Sequence, residues 1–180
     1  MTLCVFCGSS TGNDAAFGDI ARKLGIVLAN RNIDLVYGGA NIGLMGILAD
    51  SVLANNGNVI GVIPEFLQNR EVAHKSLTRL EIVSSMHERK KRMADMSDAF
   101  IAMPGGWGTL DELAEILTWK QLGLIYQPIG ILNPNGFFDP LLKQLKMMEE
   151  AGFLQSKYLD FLNINASPEE LVATLIPQNG

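Results

Sequence analysis

The chain has 180 residues, of which 48% are hydrophobic, and a formal net charge of −5. This length and composition predict a single domain over residues 1–180 with a full hydrophobic core, and the negative charge argues against a general nucleic-acid binder. No apolar run reaches the length of a membrane span and no charged leader precedes the first strand-like run, so we expect a cytoplasmic protein without membrane contact.

Strand-like apolar runs alternate with amphipathic helical patterns along the chain. The predicted elements are a strand at 3–6, a helix at 15–30, a strand at 33–37, a helix at 44–55, a strand at 58–63, an irregular stretch at 64–78, a strand at 80–83, a helix at 86–96, a strand at 99–103, a helix at 109–122, a strand at 129–132, a helix at 138–151, a strand at 161–164 and a helix at 168–175. This alternation predicts an α/β fold, a doubly wound parallel sheet of Rossmann-like type with helices on both faces.

Three loops rich in glycine or serine follow predicted strands, at residues 8–12, 38–43 and 105–108. One such loop alone is compatible with a tight turn, but ligands of a doubly wound sheet bind beyond the strand carboxyl ends, where the three loops should meet. Glycine lets backbone N–H groups approach a ligand, and a helix N-terminus favours anions. The third loop, which precedes a predicted helix, therefore indicates a phosphate site. No loop fits the nicotinamide-dinucleotide or P-loop fingerprint.

Two charged residues are candidates for chemistry. Arg89 shares an apolar helical face with Met86 and Met93, so it must meet an anion or extend to the edge of that face. Glu112 follows the third glycine loop closely, although Thr109 and Glu112 also have the spacing of a helix capping box. A guanidinium and a carboxylate beside a phosphate site would suit chemistry on a phosphorylated small molecule.

The segment Pro-Gly-Gly-Trp-Gly-Thr-Leu-Asp-Glu at residues 104–112 resembles the Pro-Gly-Gly-x-Gly-Thr-x-x-Glu signature of the Lonely Guy family of cytokinin riboside 5′-monophosphate phosphoribohydrolases. Three further segments resemble the family's first glycine loop (37–46), its arginine motif (86–90) and its first strand-end loop (7–10). The similarity extends from about residue 2 to about residue 150. Ala40 and Trp107 depart from the pattern, since many members have a third glycine and a tyrosine or phenylalanine there.

The resemblance implies hydrolysis of the N-glycosidic bond of an adenosine 5′-monophosphate, with or without an N6 substituent, to the free base and ribose 5-phosphate. It implies Arg89 and Glu112 as the catalytic residues, no cofactor or metal, and a homodimer as the assembly. Within the substrate site, Glu71 matches a substrate-contacting glutamate, Lys90 could add positive charge, and Met86 and Thr118 could line the base pocket. The complete set of expected substrate-binding residues is Gly8, Ser9, Gly38, Gly39, Gly43, Glu71, Met86, Lys90, Gly105, Gly106, Gly108, Thr109 and Thr118.

Other functions remain open at this stage. A non-catalytic carrier of a nucleotide or of the molybdenum cofactor has a similar fold, and it would need the phosphate cradle but not the pair Arg89 and Glu112. A pyridoxal-phosphate decarboxylase, which an older family label suggests, would need a Schiff-base lysine, and no lysine lies in such a context. Cys4 and Cys7 form a Cys-x-x-Cys, but with only two histidines in the chain a structural zinc site lacks obvious further ligands.

Overall fold

The structure is a computed structural model that describes residues 1–68 and 73–176. Within these residues the strands are β1 (Thr2–Phe6), β2 (Asp34–Tyr37), β3 (Val59–Pro64), β4 (Arg79–Val83), β5 (Ala99–Ala102), β6 (Ile129–Leu132) and β7 (Leu162–Asn165). The helices are α1 (Ala15–Asn30), α2 (Gly43–Ala54), α3 (Glu65–Gln68), α4 (Met86–Asp95), α5 (Trp107–Gln121), α6 (Asp139–Glu150) and α7 (Pro168–Leu175). The strands form one parallel sheet in the order β4-β3-β2-β1-β5-β6-β7.

The parallel α/β fold predicted from the alternation is therefore confirmed. Two elements differ from the prediction in ways that concern the site. The short helix α3 lies in the stretch that was predicted to be irregular. Helix α5 begins at Trp107 rather than Thr109, because Gly106 occupies the N-cap position and Gly108 adopts helical geometry.

Two hydrophobic cores cover the two faces of the sheet. Leu3 and Val5 of β1 point into the core that includes α1, α2 and α7, whereas Cys4 and Phe6 point into the core that includes α4, α5 and α6. This alternation follows from the period of two in a strand, and it explains why β1 reads as a continuous apolar run. Among the described residues, no helix is long and apolar enough to cross a membrane.

The order of the strands creates a switch point beside β1. The chain winds outward from β1 through β2 and β3 to β4, and then returns to place β5 on the other side of β1. Phe6 pairs with Ala102, so the two strands end at the same level. The loops that follow them must diverge to opposite faces, and a crevice for a ligand opens between them.

Candidate active site

The three glycine loops meet at this switch point and are joined by backbone hydrogen bonds. The N–H of Gly8, after β1, donates to the carbonyl oxygen of Pro104, after β5, at 3.1 Å. The N–H of Leu44, after the loop that follows β2, donates to the carbonyl oxygen of Gly8 at 3.0 Å. The first loop thus bridges the other two, and the expected convergence is present in the fold.

A cleft of about 140 Å³ opens where the loops meet. Its walls come from the end of β1, the start of α2, the middle of α4 and the first two turns of α5. The lining residues are Val5, Phe6, Cys7, Gly8, Ser9, Gly38, Met45, Arg89, Gly106, Trp107, Gly108, Thr109 and Glu112. Eight of the residues expected from the sequence to act in catalysis or substrate binding therefore surround one cavity.

Arg89 is buried in the wall of the cleft and is only 6% exposed. Its Nε donates to the carbonyl oxygen of Val62 at 3.1 Å, and its Nη2 donates to the carbonyl oxygen of Gly38 at 3.4 Å. A Cβ at residue 38 would collide with the guanidinium, so the absence of a side chain at Gly38 makes room for the arginine. These contacts exclude the alternative in which Arg89 extends along its helix into solvent.

Glu112 faces Arg89 across the cleft from α5. Its side chain is 9% exposed, and its Oε1 lies 3.8 Å from Nη2 of Arg89, an ion-pair distance longer than a direct hydrogen bond. The capping-box interpretation fails, because Thr109 lies inside the helix and the N-cap residue is Gly106. A buried carboxylate close to a buried guanidinium is costly to assemble unless the two charges compensate each other or serve a ligand.

The start of α5 offers polar groups that have no side-chain partner within residues 1–68 and 73–176. No side chain caps this helix, and its first turn carries no acidic residue. The Oγ1 of Thr109 is the one buried side-chain nitrogen or oxygen in the described part of the chain that has no hydrogen-bond partner. Because buried polar groups are normally paired, this hydroxyl and the helix N-terminus together mark a place for an anion.

Cys7 contributes a thiol to the wall of the cleft. Burial raises the pKa of this thiol well above its usual range, and the nearby Glu112 carboxylate raises it further. A neutral buried thiol is a poor nucleophile and a poor metal ligand. Cys4 and Cys7 are both free, and no group of three or more His, Cys, Asp and Glu side chains in residues 1–68 and 73–176 could hold a metal ion.

Several residues expected at the site lie beside the cleft or away from it. The Sδ of Met86 accepts from Nη1 of Arg89 at 3.8 Å, so it adjoins the cleft. Lys90 instead bridges α4 and α5, with its Nζ 3.1 Å from Glu115 and 3.2 Å from Asp111. Burial lowers the pKa of Lys90, but the bonds to Glu115 and Asp111 outweigh this effect and leave it raised.

Four other residues that were expected to bind the substrate do not line the cleft or are not described by the structure. Gly39 and Gly43 belong to the second loop but do not line the cleft, and Gly43 packs against the backbone of the first loop. Thr118 lies along α5, donates to the carbonyl oxygen of Ala114 at 2.8 Å and lines a different, apolar groove. Glu71 lies outside the described residues. The substrate-binding roles of these residues stay predictions.

Five cleft residues were not expected from the sequence: Val5, Phe6 and Cys7 lie at the end of β1, and the other two lie in the first turns of helices. Met45 follows the second glycine loop at the start of α2, and Trp107 occupies the variable position of the third loop. Neither carries a charge or a nucleophile, so motif reasoning passed over both. The signal that could have identified them is position alone, since each is adjacent to a glycine loop at the end of a strand.

The close approach of Gly105 to Thr109 predicts a difference between two glycines of one loop. A Cβ at residue 105 would collide with Oγ1 of Thr109 and lie 2.9 Å from the backbone nitrogen of Gly8, so Gly105→Ala should lower the free energy of unfolding by about 1–3 kcal/mol. Gly108→Ala is the matched control, because nothing lies within 4 Å of its added Cβ. Inside a helix alanine should be neutral or stabilising by up to about 1 kcal/mol. Urea denaturation measures both, and equal stability of the two variants would contradict the packing described.

Comparison with known proteins places the chain in a family. Residues 45–175 match the family described as possible lysine decarboxylase. The probable cytokinin riboside 5′-monophosphate phosphoribohydrolase LOGL1 of Oryza sativa subsp. japonica is 51% identical over 154 residues, which cover 86% of this chain and 69% of that protein. The cytokinin riboside 5′-monophosphate phosphoribohydrolase LOG1 of Arabidopsis thaliana is 46% identical over 173 residues, which cover 96% of this chain and 81% of that protein.

Solved structures share the fold at lower identity. The molybdenum cofactor binding protein from Rippkaea orientalis superposes with a TM-score of 0.70 at 23% identity, covering 97% of this chain and 96% of that chain. The molybdenum cofactor carrier protein from Chlamydomonas reinhardtii superposes with a TM-score of 0.72 at 19% identity, covering 96% of this chain and 94% of that chain. At these identities the likeness concerns the fold alone.

Proposed function

Because the chain belongs to the Lonely Guy family, which carries the description possible lysine decarboxylase, we propose that it is a nucleoside 5′-monophosphate phosphoribohydrolase. The reaction is hydrolysis of the N-glycosidic bond of adenosine 5′-monophosphate, or of its N6-modified forms, to the free base and ribose 5-phosphate. The observation that carries the proposal is the pair Arg89 and Glu112, buried together where the glycine loops meet.

The phosphate of the substrate binds at the N-terminus of α5. The uncapped first turn supplies backbone N–H groups and a favourable helix dipole, and the unpaired hydroxyl of Thr109 supplies a further donor. Gly106 and Gly108 leave open space around their Cα atoms, so a phosphate can come close to the backbone. Binding energy from this remote group serves to hold the reacting sugar carbon in place.

Glu112 acts on the sugar. Cleavage of an N-glycosidic bond passes through a transition state with positive charge on the ring oxygen and C1′, as in glycoside hydrolysis. A carboxylate at C1′ stabilises this charge and accepts a proton from the attacking water, while the base leaves with the bonding electron pair and takes up a proton. Arg89 holds the carboxylate in position and offsets part of the cost of its burial, while its fork remains suited to a phosphate oxygen.

The two competing functions fit the site less well. A carrier needs the cradle formed by the glycine loops and the start of α5, but it gives no role to a buried carboxylate beside the arginine. A pyridoxal-phosphate decarboxylase needs a lysine at its reacting centre, and no lysine lines the cleft in the part of the chain that the structure describes. Lys90, the nearest candidate by sequence, is engaged by Glu115 and Asp111.

Analysis of the products tests the proposed reaction. Chromatography after incubation with adenosine 5′-monophosphate or its N6-isopentenyl form should yield the free base and ribose 5-phosphate in equal amounts. Adenosine and inorganic phosphate would instead indicate a phosphatase, and unchanged substrate with tight binding would favour the carrier. The ratio of the turnover rates for adenosine 5′-monophosphate and its N6-isopentenyl form shows which base the enzyme prefers.

We also propose that the chain forms a homodimer through the face built by α5 and α6. A groove of about 330 Å³ between these helices is lined almost entirely by apolar side chains, and Leu122 and Phe153 near their carboxyl ends are exposed. An apolar groove bordered by exposed apolar side chains is typical of a protein–protein interface. Light scattering should give a molar mass twice the chain mass of 19.6 kDa. Phe153→Glu should lower the measured molar mass toward that of one chain. A wild-type mass of one chain would contradict the dimer.

The cellular setting belongs to the same proposal. Cys4 and Cys7 are free thiols, as is usual for proteins of the reducing cytoplasm, and we expect the chain to act there. The net charge of −5 favours a small phosphorylated substrate held by local donors over a nucleic-acid partner.

A further inference from the structure

Trp107 is the most exposed large hydrophobic side chain that borders the cleft. It is the first residue of α5, it lines the cleft beside Thr109 and Glu112, and 88% of its surface is open to solvent. An indole buries a large apolar area when it is covered, so leaving it open at the mouth of a polar site forgoes that stabilisation. Its position suggests that a ligand covers it.

The size of the cleft indicates which part of a substrate would do so. Sites that enclose a drug-sized ligand measure roughly 300–1,000 Å³. The present cavity measures about 140 Å³, which is too small to enclose a whole nucleotide. If the phosphate lies at the start of α5 and C1′ lies at Glu112, the base must extend past the rim of the cavity, where Trp107 stands.

The surroundings of Trp107 suit a flat partner. Gly106 and Gly108 flank it, and nothing lies within 4 Å of a Cβ built on either residue. The indole therefore has space for a ring on its face. Leu122 in the proposed dimer face lies roughly 20 Å from Trp107 along the helix, but the groove of that face begins at Leu110, about one turn away. A second copy on the indole is therefore an outcome that light scattering of the Trp107→Ala variant must exclude.

We propose that Trp107 is a specificity-determining residue that stacks on the base of the substrate and favours purines. This inference rests on the proposed function, because it takes the bound nucleotide as given. Stacking needs only the face of the base, so it places no demand on the N6 edge. It orients the glycosidic bond against Glu112 while the phosphate anchors the other end of the substrate.

Kinetics of variants at residue 107 provide the first test. Trp107→Ala should raise KM for adenosine 5′-monophosphate by about 5- to 100-fold, the range expected for loss of one base–aromatic stack, with a smaller change in kcat. Trp107→Phe should restore most of the loss. Inhibition by ribose 5-phosphate, which has no base, should be the same in all three proteins. An unchanged KM in Trp107→Ala, or equal weakening of ribose 5-phosphate, would overturn the proposal.

Fluorescence provides a second test that does not depend on turnover. The chain has two tryptophans, and Trp119 is half-buried against the core, so Trp119→Phe leaves residue 107 as the single reporter. With Glu112→Gln added to prevent reaction, adenosine 5′-monophosphate should quench the emission and ribose 5-phosphate should not. If calorimetry shows that the nucleotide binds but saturating nucleotide leaves the emission unchanged, the stacking proposal is wrong. A total lack of nucleotide binding would also contradict it.

The two tests separate failure of the inference from failure of the proposed function. If the wild-type protein releases no base but adenosine 5′-monophosphate still quenches the emission of Trp107 in the Trp119→Phe protein, the stacking proposal holds and the hydrolase proposal is wrong. If the wild-type protein releases base, and Trp107→Ala changes the molar mass in light scattering but not KM, then a second copy of the chain covers the indole. The stacking proposal is then wrong.

Discussion

Glu112→Gln should lower turnover of adenosine 5′-monophosphate by at least about 100-fold while the protein stays folded. Glutamine has nearly the same shape as glutamate, but it neither accepts a proton from water nor stabilises positive charge at C1′, and general-base contributions are typically about 100- to 10,000-fold. The helix should not lose a cap, because Gly106 and not Thr109 occupies the N-cap position of α5. Steady-state kinetics and urea denaturation of the same preparation measure both effects.

Glu115→Gln is the matched control for this substitution. Glu115 lies one turn further along α5, and its carboxylate pairs with Nζ of Lys90 at 3.1 Å outside the cleft. Its replacement should leave turnover close to that of the wild type. Near-normal turnover in Glu112→Gln together with reduced stability would assign Glu112 to a structural role and contradict the mechanism.

Arg89→Met should abolish activity and also destabilise the protein. The change removes an ion-pair partner of the buried Glu112 carboxylate and the hydrogen bonds that Arg89 donates to the carbonyl oxygens of Val62 and Gly38. Breaking a buried pair on one side costs about 3–5 kcal/mol of unfolding free energy, and turnover should fall by at least about 100-fold. Urea denaturation and steady-state kinetics measure the two losses.

Two further variants test whether the effect of Arg89→Met is specific to the cleft and to Glu112. Arg92→Met is the control on the same helix, since Arg92 pairs with Glu81 away from the cleft, and it should retain activity with a smaller loss of stability. The double variant Arg89→Met with Glu112→Gln should be less destabilised than the sum of the single variants, because both substitutions remove the same ion pair. Strict additivity would show that the two side chains are not coupled.

Much of the fold could be predicted because each element carries its own periodic signal. The alternation of apolar runs and amphipathic helices specifies a parallel sheet, and the predicted bounds of α4 and β6 agree with the structure to within one residue. The order of the strands could not be derived in this way, since it depends on which edges pair across long separations. The start of α5 was missed because Gly106 carries no capping side chain to mark it.

The site residues that could be predicted from the sequence are those whose charge conflicts with a buried position. Arg89 stood out because a charge on an apolar helical face needs a partner, and the structure places Glu112 near it. The local spacing of Thr109 and Glu112 suggested a capping box, and only the tertiary position of the helix shows that both side chains face the cleft. Trp107 gave no comparable signal, because exposure of an aromatic ring at a cleft is a property of the folded chain.

The dependence of hydrolysis on the 5′-phosphate tests the central claim most directly. The measurement is the ratio of kcat/KM for adenosine 5′-monophosphate to that for adenosine, followed by release of adenine. If the start of α5, with the hydroxyl of Thr109, holds the phosphate, loss of two charge-assisted hydrogen bonds alone should make this ratio at least about 100. Equal values of kcat/KM for the nucleotide and the nucleoside would contradict the account, because the phosphate would then contribute nothing to binding or catalysis in the cleft.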